Sequence, residues 1–159
     1  MVMDTVKPSP GRVPIYSVAT NSVTLVERIE KPDAEWERML DPVTFEVARK
    51  AGTEPAFTGK YHAWKEKGLY RCACCGTDLF LSDTKFESGT GWPSFRAPVS
   101  ERNVELKRDG SLGMVRIEVL CARCGAHLGH VFDDGPPPTH QRYCMNSASL
   151  AFMKQVYNL

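Results

Sequence analysis

The chain has 159 residues, a formal net charge of +1 and 25% charged residues. This length suits one domain with a core of its own. The nearly neutral charge argues against a nucleic-acid groove or a lipid-binding surface, and no apolar run is long enough to span a bilayer. Because the N-terminus also lacks the charged and then apolar order of a secretory signal, we expect a cytoplasmic protein.

The first segment is predicted to be a flexible arm. Residues 1–22 carry three prolines, several Ser and Thr residues and little periodicity, and such a composition does not bury enough apolar surface to order itself. The folded domain is therefore expected over residues 23–159.

Two short helices are predicted next. Pro32-Asp33 offers an N-terminal cap, and Trp36, Met39 and Leu40 then recur at helical spacing. Asp41-Pro42 ends this helix and starts a second one, which stops at Gly52. The apolar residues of the second helix are Phe45, Val47 and Ala48. Residues 61–67 are rich in aromatic side chains and indicate either a third short segment or a loop.

Beyond Gly68 the pattern becomes that of strands. Residues 78–81 and 113–120 are alternating or wholly apolar, and residues 141–152 alternate. Asp109-Gly110 predicts a hairpin turn, and the run 133–138 predicts a rigid loop. The predicted fold class is mainly β (α+β), with short N-terminal helices in front of an antiparallel β core.

Two motifs of the form Cys-x-x-Cys-Gly predict a metal site. The first contains Cys72 and Cys75, and the second contains Cys121 and Cys124. Two residues between ligands let both sulfurs face one ion, and the glycine permits the tight turn that follows. One motif alone could be a redox pair, but two supply the four thiolates of a tetrahedral zinc site. Such a site has no open position, so we predict one structural Zn²⁺ that staples two distant strand ends together.

A further cysteine in the first motif leaves a choice of ligands. Cys74 could compete with Cys75, although the symmetry with the second motif favours Cys72 and Cys75. Cys74 would then be a free thiol.

Cys144 is the candidate nucleophile. Arg142, Cys144 and Asn146 are spaced by two, which places them on one face of a strand. A guanidinium beside a thiol favours the reactive thiolate, and Asn146 could orient a substrate or a histidine. The alternative is that Cys144 is a small buried hydrophobic residue.

His127 and His130 follow the second cysteine motif directly. A metal would hold this segment rigidly, and two imidazoles near a thiol suit acid–base chemistry around a nucleophile. The alternatives are that His127 is itself a metal ligand, or that both imidazoles are satisfied polar groups.

The loop 89–95 supplies the third part of the candidate site. It displays Trp92 and Phe95 among glycines and a proline, and aromatic planes of this kind make a wall for a small apolar or sulfur-bearing group. The alternative is a loop tryptophan that plugs the edge of the core.

These motifs, in this order, resemble those of the B-type methionine-R-sulfoxide reductases. The resemblance covers about residues 34–154. It is carried by both cysteine motifs, His127-Leu-Gly-His130, the Gly-Trp-Pro-Ser-Phe loop and Arg142-Tyr-Cys-Met-Asn-Ser147. The resemblance implies two antiparallel β-sheets with small N-terminal helices. It also implies an enzyme that reduces the R-epimer of methionine sulfoxide, free or in proteins, to methionine.

The same resemblance implies a role for each residue. Cys144 would be the nucleophile and become a sulfenic acid, while Trp92 would pack on the S-methyl group of the substrate. The sulfoxide oxygen would be bound or protonated by His127, His130 and Asn146, and Arg142 would support the thiolate. The zinc ligands would be Cys72, Cys75, Cys121 and Cys124. This chemistry is consistent with the residues, because a sulfoxide oxygen leaves only when it is protonated.

One position departs from the pattern of the family. Many members carry a resolving cysteine where this chain has Thr90. Either thioredoxin attacks the sulfenic acid directly, or Cys74 acts as the resolving thiol. We favour direct reduction, because Cys74 lies beside a zinc ligand.

Two other classes of protein compete with a thiol-dependent reductase. A zinc-ribbon interaction module without catalysis would explain the cysteine motifs, but it would not require Cys144, the two histidines and Trp92. A zinc hydrolase needs an open metal position, and four cysteines deny it one.

Overall fold

The computed structural model describes residues 11–110, 113 and 115–155. This part of the chain contains eleven strands and two α-helices. The helices are α1 (Asp33–Met39) and α2 (Pro42–Ala48). The strands are β1 (Arg12–Ser17), β2 (Ser22–Glu27), β3 (Gly68–Cys72), β4 (Asp78–Leu81), β5 (Lys85–Phe86), β6 (Ser94–Phe95), β7 (Val104–Asp109), β8 (Arg116–Cys121), β9 (His127–Phe132), β10 (Arg142–Met145) and β11 (Leu150–Lys154).

The strands form antiparallel sheets, which confirms the predicted fold class. A six-stranded sheet has the order β5-β6-β10-β9-β8-β7, and a three-stranded sheet has the order β11-β3-β4. A separate hairpin pairs β1 with β2. The core lies between the two larger sheets, where Phe80 of β4 stacks on Phe95 of β6 with ring centroids 4.4 Å apart.

Both predicted helices are present. Asp41 caps α2, because its carboxylate accepts the backbone N–H of Thr44 at 2.9 Å. The first helix lacks such a cap: Pro32 occupies the N-cap position without a side-chain hydrogen bond. The second helix ends at Ala48, before the predicted stop at Gly52. Among the described residues, neither helix has the length and apolar character needed to cross a bilayer.

The prediction of a flexible arm is wrong for residues 11–22. This stretch forms β1, the turn after it and the start of β2, and it is held by side chains far along the chain. Asn103 accepts the Tyr16 N–H and donates to the Tyr16 carbonyl, each at 2.9 Å. Asp78 accepts the Val18 N–H at 2.9 Å. Hydrogen bonds to residues so far along the chain cannot be predicted from local periodicity. Residues 1–10 lie outside the described part of the chain.

The C-terminal strand prediction also needs a correction. Residues 141–152 are not one strand, because a 3-10 turn over Ser147–Ser149 separates β10 from β11. The two strands belong to different sheets, so the turn carries the chain across the core. The predicted strand over 113–120 corresponds to β8, and residues 61–67 form turns and loop. Strand β9, which contains both candidate histidines, was not predicted.

Candidate active site and metal centre

The four predicted metal ligands come together. Each of the sulfurs of Cys72, Cys75, Cys121 and Cys124 lies within 4.8 Å of the others. The Sγ atoms of Cys72 and Cys124 are 3.6 Å apart, as are those of Cys75 and Cys121. Four thiolates about 2.3 Å from a tetrahedral ion would lie about 3.8 Å from one another. The cluster therefore has the donor set and the spacing of a tetrahedral metal site.

The two cysteine motifs fold alike. In the first, the Gly76 N–H donates to the Cys72 carbonyl, and in the second the Gly125 N–H donates to the Cys121 carbonyl, both at 2.8 Å. Both glycines have positive φ values, +81° and +78°, which glycine adopts without strain. Cys72 ends β3 and Cys121 ends β8, so the cluster joins the three-stranded sheet to the six-stranded sheet.

Cys74 and His127 lie outside the group of four sulfurs. An unpredicted residue contacts the group from α2's C-terminal end: Arg49 donates to Cys124 Sγ at 3.5 Å and to the Cys124 carbonyl at 2.9 Å. Its guanidinium also stacks 4.4 Å from the Trp36 ring centre. Arg49 precedes Cys124 by 75 positions, so no local pattern could have linked them.

Cys144 lies in the middle of the six-stranded sheet. On β10 it is paired with His130 of β9 on one side and with Ser94 of β6 on the other. Arg142 and Cys144 are partly exposed while Tyr143 and Met145 are buried, so the predicted common face of Arg142 and Cys144 is confirmed. Asn146 follows directly after the strand.

A cavity of about 270 Å³ opens above Cys144. Five of the seven residues predicted for catalysis or substrate binding line it, namely Trp92, His130, Arg142, Cys144 and Asn146. The wall also includes Thr53, Thr90, Arg116, Gly129, Phe132 and Met145. Such a cavity is large enough for the end of one methionine-sized side chain.

Phe95 does not line this cavity, although the sequence predicted it to form the aromatic wall together with Trp92. Its side chain is fully buried and stacks on Phe80 in the core. Phe95 lies on β6, where the side chains of neighbouring residues point to opposite faces of the sheet. The loop over residues 89–93 therefore lines the cavity with Trp92, and β6 contributes Phe95 to the core.

Burial and the neighbouring groups act on the pKa of Cys144 in opposite directions. Burial raises the pKa of Cys144, while the Arg142 guanidinium and a hydrogen bond with Thr90 act to lower it without cancelling the effect of burial. Arg142 is itself paired with Asp134 through contacts of 2.8 and 3.1 Å. These hydrogen bonds raise the pKa of Arg142, and the negative charge of Asp134 offsets part of its influence on the thiol.

Each candidate histidine has a carboxylate partner. His130 Nε2 lies 3.0 Å from Asp109 Oδ2, and His127 Nδ1 lies 2.7 Å from Glu118 Oε2. Burial lowers the pKa of His130, against the opposing effect of Asp109. The two imidazole rings are 5.5 Å apart, but His127 is almost completely buried and does not line the cavity.

Sequence reasoning missed both carboxylates. Glu118 alternates with Arg116 in an otherwise apolar strand, which is a signal that could have placed them on the polar face of β8. Asp109 was interpreted only as a turn residue, although it also contacts Arg116 at 3.5 Å.

Asn146 and Trp92 are both held by one unpredicted residue. The Trp92 indole Nε1–H donates to the carbonyl of Glu54 at 2.9 Å, and Asn146 Oδ1 accepts the Glu54 N–H at 3.0 Å. The Asn146 amide also donates to the Leu128 carbonyl at 3.3 Å. The amide of Asn146 is thus bound to the backbone at both of its ends.

Comparison with known proteins agrees with this arrangement. Residues 40–154 match the family model described as SelR domain. A Methanosarcina mazei protein is 57% identical over 128 residues, which is 80% of this chain and 91% of that protein. A Leptospira interrogans protein is 54% identical over 127 residues, which is 80% of this chain and 97% of that protein. Both carry the name peptide methionine sulfoxide reductase MsrB. The chain therefore belongs to the SelR domain family, as the motifs that resemble B-type methionine sulfoxide reductases predict.

Proposed function

We propose that this protein reduces methionine-R-sulfoxide, free or within proteins, to methionine. The observation that carries the proposal is the placement of Cys144 in a cavity walled by Trp92 and directly opposite His130. The names of the relatives support the reaction class, and the choice of the R-epimer follows from the resemblance to the B-type reductases. A non-catalytic zinc-ribbon module would have no use for this cavity.

In the proposed reaction, the Cys144 sulfur attacks the sulfoxide sulfur while the sulfoxide oxygen is protonated. The oxygen is then transferred to the Cys144 sulfur: the S–O bond of the substrate and the transient bond between the two sulfurs break, methionine leaves, and Cys144 becomes a sulfenic acid. The substrate sulfur is reduced by two electrons and Cys144 is oxidised by two. Trp92 forms the wall for the S-methyl group, and Arg142 favours the thiolate.

The protonation states of the free site are compatible with this step. Burial raises the pKa of Cys144 and lowers that of His130, which favours a neutral thiol beside a neutral imidazole. This pair contains as many protons as a thiolate beside an imidazolium, so transfer of the thiol proton to His130 produces both the nucleophile and the acid. Asp109, 3.0 Å from His130 Nε2, would stabilise the imidazolium. His127, held by Glu118, would assist as a second imidazole.

We further propose that thioredoxin reduces the sulfenic acid directly. A thioredoxin thiol would displace water to form a mixed disulfide with Cys144, and its second thiol would then release Cys144 as a thiol. Thr90, which cannot form a disulfide, occupies the position of the resolving cysteine beside Cys144. Cys74 interacts with Cys72, Cys124 and Arg49 and is not among the residues that line the cavity.

The ion in the cysteine cluster is proposed to be one structural zinc, held by Cys72, Cys75, Cys121 and Cys124. Four sulfur donors leave it no open position, so its role is to hold the two sheets together. All six cysteines are free of disulfides, which supports a reducing compartment such as the cytoplasm.

The proposed function is tested with the separate R- and S-epimers of methionine sulfoxide and dithiothreitol as the reductant. We expect turnover of the R-epimer only. Cys144→Ser is expected to abolish turnover while keeping metal content and the unfolding curve of the wild type. Activity in Cys144→Ser, or a preference for the S-epimer, would refute the proposal.

The recycling route is tested by one turnover without reductant, followed by dimedone trapping and non-reducing peptide mapping. Direct reduction predicts a dimedone adduct on Cys144. A Cys74–Cys144 disulfide would instead assign the resolving role to Cys74.

A further inference from the structure

Glu54 is a buried carboxylate in the loop between α2 and β3 that the proposed reaction does not use. The residue is only 6% exposed. One carboxylate oxygen accepts the Ser147 N–H at 2.8 Å, and the other accepts the Ala148 N–H at 2.9 Å. Gly59 packs against this carboxylate so closely that a Cβ there would collide with it. The carboxylate is thus fixed to the turn that directly follows the strand of Cys144.

The backbone of the same residue reaches the two sides of the cavity. Its N–H donates to Asn146 Oδ1 at 3.0 Å, and its carbonyl accepts the Trp92 indole N–H at 2.9 Å. A second bond ties the two loops together, because the Phe57 N–H donates to the Gly91 carbonyl at 2.8 Å. One residue therefore connects the indole wall to the end of the nucleophile strand.

We propose that Glu54 is a positioning residue that sets the placement of Trp92 relative to Cys144. The effect expected on kcat/KM rests on the proposed function. The carboxylate suits this role because its two oxygens accept two backbone N–H groups at once. An amide at this position would turn a donor toward one of those N–H groups. The Glu54 backbone would then move, and the indole that it holds would move with it.

The inference is tested with Glu54→Gln, with Asp78→Asn as the matched control. Asp78 is an equally buried carboxylate, 7% exposed, that accepts the Val18 N–H and the Arg71 guanidinium. It lies on β4, outside the wall of the Cys144 cavity. Both substitutions replace a buried carboxylate by an amide and weaken its hydrogen bonds, so both are expected to lower the free energy of unfolding. Only Glu54→Gln is expected to move Trp92.

Two measurements separate positioning from stability. At a temperature where both variants are folded, Glu54→Gln should lower kcat/KM for methionine-R-sulfoxide about tenfold or more, since small misplacements are costly. The loss should lie mainly in KM, because the indole contacts the substrate in the ground state as well as the transition state. The emission assigned to Trp92, obtained by difference from a Trp92→Phe background, should shift to longer wavelength. Asp78→Asn should leave both quantities close to those of the wild type.

The inference is overturned if Glu54→Gln matches Asp78→Asn in kinetics and in Trp92 emission. If Glu54→Gln does not fold, Glu54→Asp, which keeps two acceptor oxygens, takes its place in both measurements. Failure of both variants to fold would assign the carboxylate to stability alone and would also overturn the inference. An inactive wild type would refute the proposed function, whereas the emission measurement would still report on Trp92 placement.

Discussion

The reactivity of Cys144 depends on the competition between burial and one guanidinium. Burial raises the pKa of Cys144, and Arg142 acts against it. Arg142 stacks 4.4 Å from the Phe132 ring centre and is paired with Asp134, so its position over the cavity is fixed while part of its charge is neutralised. In the proposed reaction the thiol therefore need not be ionised beforehand, because His130 would accept its proton.

Arg142→Ala should raise the pKa of Cys144 further, because the main group that lowers it is removed. The rate of Cys144 alkylation by iodoacetamide, which follows the thiolate fraction, should then begin to rise at a higher pH than in the wild type. Arg142→Lys keeps the positive charge and should shift the profile less.

The control for this measurement is Arg96→Ala. Arg96 donates to the Asp83 carbonyl at 3.0 Å and does not line the cavity. The pH profile of Cys144 alkylation in Arg96→Ala should coincide with that of the wild type. An unchanged profile in Arg142→Ala would show that the guanidinium does not act on the thiol.

The N-terminal hairpin illustrates how an element depends on residues far from it in the chain. Among the strands that the structure describes, β1 and β2 pair only with each other, and an isolated two-stranded hairpin is marginally stable in water. The hairpin is docked through Asn103, which is fully buried and whose side chain makes three hydrogen bonds, two to Tyr16 and one at 2.7 Å to the Asp78 carbonyl. Docking is what orders this part of the chain.

Asn103→Ala should therefore lower the free energy of unfolding by about 2–4 kcal/mol, because three hydrogen bonds are lost and buried backbone groups lose their partner. Denaturant unfolding measures the change, and hydrogen exchange over residues 12–27 should increase.

Tyr16→Phe is the matched control within the hairpin. It removes only the exposed hydrogen bond from the Tyr16 hydroxyl to Asn21, so its effect should stay within about 0.5 kcal/mol. Equal effects of Asn103→Ala and Tyr16→Phe would show that Asn103 does not anchor the hairpin.

At the scale of the whole molecule, the cysteine cluster and the core connect the same two sheets. Cys72 ends β3 of the three-stranded sheet and Cys121 ends β8 of the six-stranded sheet, and Cys75 and Cys124 lie in the turns that follow. Since β8 and β9 flank the second motif, the cluster also fixes the start of the strand that carries both histidines. Loss of the ion should thus affect both stability and the site.

Cys75→Ser should lose the proposed zinc and fold poorly, because binding of a structural zinc is coupled to folding and contributes roughly 10 kcal/mol or more in small zinc domains. Cys74→Ser should keep about one zinc per chain. Metal analysis of the purified proteins and their thermal unfolding give the comparison. Retention of zinc by Cys75→Ser with loss in Cys74→Ser would reverse the ligand assignment.

The sequence by itself determined the parts whose chemistry is local. Cys-x-x-Cys-Gly spacing identifies ligand pairs because the turn they require spans five residues, and the alternation around Cys144 places Arg142 on the same face because successive strand residues point to opposite sides. The two helices were predicted for the same reason, because the apolar spacing of each and the cap of the second one at Asp41 act within a few residues.

Only the tertiary structure decided which distant groups surround these residues. It placed Asp109 and Glu118 beside the histidines, Glu54 between Trp92 and Asn146, and Asn103 under the hairpin. It also sent Phe95 to the core. Each of these placements depends on strand pairing or on contacts between residues up to 94 positions apart. The energies that select them arise from burial and from hydrogen bonds that exist only once the sheets are assembled.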